Sequence, residues 1–434
     1  MQQRSRVFVL TDISSLRTGY KEPDDTQSLV RLLLYANDLE LEGLVATYSK
    51  HWQGEVKPDY IETIVRQYGQ VCAQLQAHDS RYPSEAELLR LIKAGNPLDG
   101  PAYVGEGHDT EGSEHLVAAM MKEDNRPLWV IVWGGTTDLA QALWKAELLI
   151  GQSAFEQMLA GLRVYSVVDQ YAMGSWIRDH YPNLFYVLSS LAVRGMYKGG
   201  DLSLVSDVWL ETHVTEGHGP LGAAYPKYDG GDIYSRSVKG IKEGDSPSFL
   251  YLIPNGLGVP ERPDWGGWGG RFVQAEGMPS RHYFDAEESA PAHEHEHAAY
   301  WSSVYRWREA YQRSFQARMD WCVLPPEQAN YEPIVVISSE REQEVISGAT
   351  IALDASASSD RQGRQLIFRW FVYHEAGTYD GELELQGEET PQLSFTAPEV
   401  AAPQTIHVVI AVTNDGEPPL TGYGRVVLTV YPRV

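Results

Sequence analysis

From Arg6 to Cys322 short apolar runs alternate with helix-period segments, and a chain patterned this way folds as a mostly parallel α/β sheet. "RVFVL" (6–10), "LEGLVATYS" (41–49), "RPLWVIVWGG" (126–135) and "LRVYSVV" (162–168) read as buried strands. Between and after them, "DDTQSLVRLLLYAN", "PDYIETIVRQYGQVCAQL" and "TDLAQALWKAELL" carry apolar residues at helical spacing. "DQYAMGSWIRDHYPNLFYVLS" repeats the theme, and "WSSVYRWREAYQRSFQARMDWC" (301–322) closes it as one long helical pattern. Each strand ends in polar or glycine-rich residues, where open α/β sheets bind their ligands.

The pattern changes at "VLPPEQANYEP" (323–333), a proline-containing linker. Beyond it, "GATIALDASAS", "QLIFRWFVYHE", "TPQLSFTAP", "TIHVVIAVTND" and "YGRVVLTVY" alternate with turn residues, as in an all-β immunoglobulin-like sandwich. Two domains are expected, 1–325 and 326–434.

Charge narrows the partners. The 434 residues hold 59 acids against 35 bases, a net charge of −24, which disfavours nucleic acid and anionic membrane surfaces and suits cations and neutral sugars. No apolar stretch approaches the roughly 20 residues that span a bilayer. The two cysteines, Cys72 and Cys322, fit either buried thiols or one disulfide.

The first strand stops at Asp12, and the next helix opens on Asp24 and Asp25. Capping and the helix dipole account for the adjacent pair but not for Asp12. Three carboxylates meeting at one crevice would hold a hard cation such as Ca²⁺, and that reading is favoured. In "VIVWGGTTDLAQAL" Thr137 is either a helix cap or a further oxygen ligand. In "KEGDSPSFLYLIPNGLG" Asp245 is either a cap or a fourth carboxylate, with Glu243 two residues earlier. Trp265 and Trp268 in "DWGGWGGRF" read as packing plugs or as sugar-stacking rings, and two on one glycine-flanked loop shift the balance toward a binding surface. His293, His295 and His297 of "HEHEH" would share a face only in an extended strand and read as a solvated polar loop.

"LTD" after a strand, "PDD" opening a helix, "GGTTDLAQAL" and a late "GD" resemble the nucleoside hydrolases. More closely, the chain resembles a cellulose-binding family of bacterial proteins that joins a nucleoside-hydrolase-like domain to an immunoglobulin-like one. "SWIRDHYPNLFYV", "HGPLG", "GGWGGRF", "LDASASSD" and "VTNDGEPPLTGYGRV" carry that likeness. The resemblance implies a Ca²⁺ held by Asp12, Asp24, Asp25, the Thr137 carbonyl and Asp245. Asp12 matches the family's base, which deprotonates a Ca²⁺-bound water, and Glu243 stands near the place of a leaving-group acid. Asp169, Gln170, His218, Asn255, Trp265 and Trp268 would contact substrate.

Two departures stand out: Leu10 occupies a position where the family motif carries an aspartate, and the loop to the acid pair is longer. The expectation is a calcium-dependent glycoside hydrolase acting on a plant or algal polysaccharide fragment. A nucleoside N-ribohydrolase and a non-catalytic polysaccharide-binding protein are the alternatives. A periplasmic or secreted location fits, a cytoplasmic one and a homo-oligomer being left open.

Overall fold

The computed structural model describes residues 3–19, 22–52, 54–230, 239–289 and 295–433. Eight strands build the main sheet: β1 (Ser5–Thr11), β2 (Leu39–Ala46), β3 (Ile92–Ala94), β4 (Leu128–Val132), β5 (Leu162–Val167), β6 (Phe185–Ser189), β7 (Phe272–Gln274) and β8 (His282–Asp285). Their spatial order is β3-β2-β1-β4-β5-β6-β8-β7, parallel throughout except where β7 runs against β8.

Helices on both faces bury the central strands without interruption, which explains the unbroken apolar runs. Alternate residues supply two cores. Val7, Val9, Ile131 and Tyr165 face one layer of helices, and Phe8, Leu10, Val130 and Val164 face the other.

Connections run outward in opposite directions from β1 and from β4. The strand order therefore reverses between them, and a crevice opens at their carboxyl ends. The helix Asp24–Leu34 follows β1 into this crevice.

The C-terminal unit is a small β-sandwich, as the alternating tail predicts. One sheet runs β11 (Leu366–Val372), β13 (Gln404–Asn414), β14 (Thr421–Tyr431) and β9 (Glu342–Ile346). The other pairs β10 (Thr350–Asp354) with β12 (Gln392–Thr396), and a separate core of Trp370, Phe395, Val408 and Val426 fills the space between.

The sandwich docks on the α/β unit through buried groups. Arg425 donates from Nη1 to the Trp265 carbonyl at 2.6 Å and from Nη2 to that of Gly266 at 3.2 Å. Glu288 accepts from Arg271 Nε at 3.0 Å, Arg306 Nη1 at 2.5 Å and the Tyr373 hydroxyl.

Two expectations change here, and one open alternative is settled. The pattern over 301–322 divides into Ala298–Tyr305 and Arg308–Asp320, with a break at Arg306 and Trp307. Trp265 and Trp268 are plugs rather than sugar platforms: they are 1% and 2% exposed, the first edge-on to His407, the second against Tyr311 and Tyr423. Both cysteines are buried free thiols.

Candidate functional site

Asp12 leaves the end of β1 at the crevice, and the turn after β4 makes room for it. A β-carbon on Gly134 would meet Asp12 Cβ at 2.4 Å, so only glycine lets the two strand ends approach this closely. Asp24 and Asp25 occupy the first turn of their helix, whose N-cap is Pro23, and neither side chain caps it. The capping alternative therefore fails on geometry. Asp245 arrives on the loop after Lys242, just before the short helix Pro247–Leu250.

All four aspartates line one cavity of about 200 Å³, together with Glu22, Lys50, Gln170, Arg194, Tyr197 and Lys242. Asp12 accepts from the Tyr171 hydroxyl at 2.7 Å on Oδ2, Asp25 from the Thr11 hydroxyl on Oδ1, and Asp24 pairs with Lys242 Nζ at 3.3 Å. Asp24 Oδ1 and Asp245 Oδ2 are buried with no hydrogen-bond donor among the described residues.

Burial first, then mutual repulsion, raises these acids. Asp12 is pushed up to about 7, with the Tyr171 hydrogen bond working the other way. Asp25 and Asp245 stand well above the usual carboxylate range, each buried and faced by the other aspartates. At the rim Glu22 behaves oppositely. Although burial opposes ionisation, its hydrogen bond to His51 at 2.6 Å and the nearby Lys50 hold it down to about 2.

The donor chemistry suits a hard divalent cation: carboxylate oxygens, two of them orphaned, in a place short of positive charge. Three of the four carboxylates are turned toward Tyr171, Thr11 and Lys242. Among the described residues, the only group of three or more His, Cys, Asp or Glu ligand atoms mutually within 4.8 Å is elsewhere, at 295–297. Holding a cation in the crevice thus requires these side chains to rotate off their present partners.

The other expected residues divide. Gln170 lines the cavity and donates to the Trp133 carbonyl at 2.5 Å. Asp169, in a left-handed backbone conformation at φ 49°, turns to Arg178, Ser166 and Tyr186 and does not line the cavity. Thr137 opens its helix with its hydroxyl on Asp99 Oδ1 at 3.2 Å, also outside the lining.

Glu243 is fully buried and accepts from Arg31, Tyr225 and Ser246, so its carboxylate is committed and does not face the cavity. That corrects its reading as a leaving-group acid. His218 pairs with Asp320 at 3.0 Å, and the Asn255 side chain accepts from the Leu257 N–H at 3.0 Å. Neither lies in the cavity, because each is spent on local structure. Lys242, Glu22 and Lys50 were not expected; Glu22 and Lys242 stand beside the acids in "KEPDD" and "KEGD", while Lys50, in "TYSKHW", carries no such signal.

Comparison with known proteins agrees with this architecture. Residues 6–272 match the family described as "Cellulose-binding Sde182, nucleoside hydrolase-like domain". Residues 350–430 match "Cellulose-binding protein Sde0182, C-terminal domain". No curated protein matches.

Among solved structures, a nucleoside hydrolase-related hypothetical protein from Saccharophagus degradans, described as associated with carbohydrate metabolism, is 31% identical. The alignment covers 99% of this chain and 100% of that one at a TM-score of 0.83. The PKD domain of KIAA 1837 protein aligns over 22% of this chain and 86% of its own, at 18% identity and a TM-score of 0.18. With an aspartate-lined crevice on a nucleoside hydrolase-like sheet, and the matching C-terminal domain docked against it, the chain belongs to the cellulose-binding Sde182 family.

Proposed function

We propose that the chain is a Ca²⁺-dependent glycoside hydrolase, working in the periplasm or outside the cell on an oligosaccharide with a vicinal diol. One observation carries this reading: Asp12, Asp24, Asp25 and Asp245 converge on a single cavity at the sheet's crevice, with two oxygens lacking donors. Three buried carboxylates and the half-buried Asp24, with Lys242 the lysine directly paired to them among the described residues, are an unstable arrangement unless a ligand brings positive charge or hydroxyl donors. The family's cellulose-binding description and the S. degradans relative's association with carbohydrate metabolism favour a sugar over a nucleoside.

When bound, Ca²⁺ acidifies water and engages sugar hydroxyls. The chain's own residues do the rest. Asp12 serves as general base, oriented by the Tyr171 hydroxyl at 2.7 Å. Asp24, steadied by Lys242, accepts from a sugar hydroxyl. Leaving-group protonation does not come from Glu243, whose buried carboxylate is committed to Arg31, Tyr225 and Ser246. That commitment is the specific observation favouring the second reading, a pocket that binds sugar without cleaving it.

The test is a screen of cello-oligosaccharides, nitrophenyl glycosides and nucleosides, with Ca²⁺ or with chelator, on the wild type and Asp12→Asn. Sugar release that chelation and Asp12→Asn each reduce at least about 100-fold supports hydrolysis. Turnover indifferent to both overturns the mechanism, and calcium-dependent binding without release establishes the second reading.

A further inference from the structure

We infer that His295, Glu296 and His297 form a second metal site, on the surface, for a borderline divalent ion such as Zn²⁺ or Cu²⁺. One ligand atom from each residue lies within 4.8 Å of the other two. The inference does not rest on the proposed activity, and the site shares no residue with the acidic crevice.

The backbone explains how residues at i, i+1 and i+2 converge. An α-helix spreads such positions by about 100° per residue, and a strand sends the middle one to the opposite face. Here the chain turns into the helix Ala298–Tyr305, with Ala298 N donating to the His295 carbonyl at 2.8 Å and Tyr300 N to the His297 carbonyl at 3.1 Å. The turn brings all three side chains to one side. The described part of the motif is solvent-exposed at His295 and Glu296, as a solvated polar segment requires, and its three ligand atoms lie together; His293 lies outside the described residues.

At rest the His295 Nδ1 accepts the His297 backbone N–H at 3.2 Å, which fixes the Nε2–H tautomer. Coordination through Nε2 therefore requires the ring to leave this contact and carry its proton on Nδ1, where it can donate as ligating histidines do. The ring is meanwhile held at the turn by stacking on Trp301 at 4.9 Å and 25°. Glu296 Oε1 lies 3.7 Å from His297 Nε2, so carboxylate and imidazole already approach each other.

Donors around a tetrahedral ion with bonds of about 2.0–2.1 Å stand roughly 3.4 Å apart. The short closure needed falls on exposed side chains, 79% for Glu296 and 37% for His297, that rotate at little cost. Two imidazoles and one carboxylate, with water completing the shell, suit Zn²⁺ or Cu²⁺ and not Ca²⁺, which takes more oxygens.

The site also has a structural address. Its helix packs on the turn Ala192–Met196, where a β-carbon on Gly195 would meet the Trp301 carbonyl at 2.3 Å. Val193 and Arg194 of that turn line the acidic cavity. An ion at 295–297 fastens the start of the helix that backs this wall.

Cu²⁺ titration of the full chain, followed by electron paramagnetic resonance and calorimetry, tests the proposal. The wild type is expected to take a Cu²⁺ with imidazole-nitrogen couplings that Ca²⁺ does not displace. His295→Ala/His297→Ala should weaken that binding by about 100-fold and Glu296→Gln by about 10-fold, with an unchanged melting curve of the metal-free protein. Asp245→Asn should leave Cu²⁺ binding intact. Equal affinity and unchanged nitrogen couplings in the double variant overturn the site, as does loss of the signal in Asp245→Asn instead.

Discussion

Two groups of buried carboxylates lie in this molecule, and they are treated in opposite ways. At the domain interface, Glu288, 0% exposed, receives Arg271, Arg306 and the Tyr373 hydroxyl. Two cations and a hydroxyl serve one acid. In the crevice, among the described residues, four aspartates share one direct ion pair, Lys242 with Asp24 at 3.3 Å, and two of their oxygens have no donor. A buried acid surrounded by its own donors is structural, and removing it strands the partners. A set left short of donors is held at a cost in stability and awaits a ligand.

The sharpest way to break this comparison is to delete one acid from each place. Glu288→Ala strands the buried Arg271 guanidinium, leaves Arg306 only Glu375, and should lose about 3–5 kcal/mol of unfolding free energy in urea. Asp25→Asn removes one of four crowded charges and should leave the metal-free protein at least as stable as the wild type. A Glu288→Ala loss below about 1 kcal/mol, or an equal loss in Asp25→Asn, would erase the distinction between the two sites.

Calcium should act on one site alone. If the crevice takes Ca²⁺, a free concentration of 100 times Kd stabilises the fold by about 2.7 kcal/mol. Asp245→Asn should abolish most of that gain, while His295→Ala should leave it. A calcium-induced rise in Tm that survives Asp245→Asn moves the ion out of the crevice.

The pH dependence separates the sites further. Asp12 has a folded value of about 7, raised from 3.8 mainly by burial. Below about 4 the group is protonated whether folded or unfolded, so it carries no penalty there. Between about 4 and 7 only the unfolded chain releases the proton, and folding stability falls as pH rises. Above 7 the penalty is complete. In chelator, Asp12 alone should contribute a drop of up to about 1.4 kcal/mol per pH unit across this window, to which the raised Asp25 and Asp245 add. Asp12→Asn should flatten that part of the curve, and a wild-type curve that rises from pH 4 to 7 would contradict the assignment.

These contrasts also show where sequence reading reached and where it stopped. β1, β4 and β5 were legible because continuous burial writes a nearly unbroken apolar run, and β2 through its buried second half, residues 43–46. β3, three half-buried residues reading Ile92-Lys93-Ala94, was not, nor was β9, whose "EQEVI" alternates on an exposed edge. Asp12, Asp24 and Asp25 were legible as a set because strand end and helix start are local features. Tyr171 beside Asp12 and Lys242 beside Asp24 depend on where distant loops land, whereas Glu22 lies next to the acid pair and only its pairing with His51 and Lys50 was hidden.

Trp265 and Trp268 were misread for a related reason. Glycine-flanked tryptophans look alike on a binding loop and beneath a docked domain, and only the second domain's position decides. Glu243 shows the same limit. Its partner Arg31 lies on the helix Asp24–Leu34, far away in sequence, so proximity to Asp245 suggested catalysis where the fold built an ion pair.

The smallest effect supplies the control. On the helix Pro58–His78, Glu62 and Arg66 pair at 2.6 Å, yet their side chains are 47% and 56% exposed. Water already solvates both charges, so Glu62→Gln should cost only about 0.3–0.5 kcal/mol. That cost should shrink in 1 M NaCl, where the Debye length falls to about 3 Å. The loss in Glu288→Ala should keep most of its size at the same salt, because Glu288 and Arg271 are shielded from solvent and only Arg306 is partly exposed. If salt reduced both losses in proportion, the interface acid would be solvated like Glu62, and burial would not be what distinguishes Glu288.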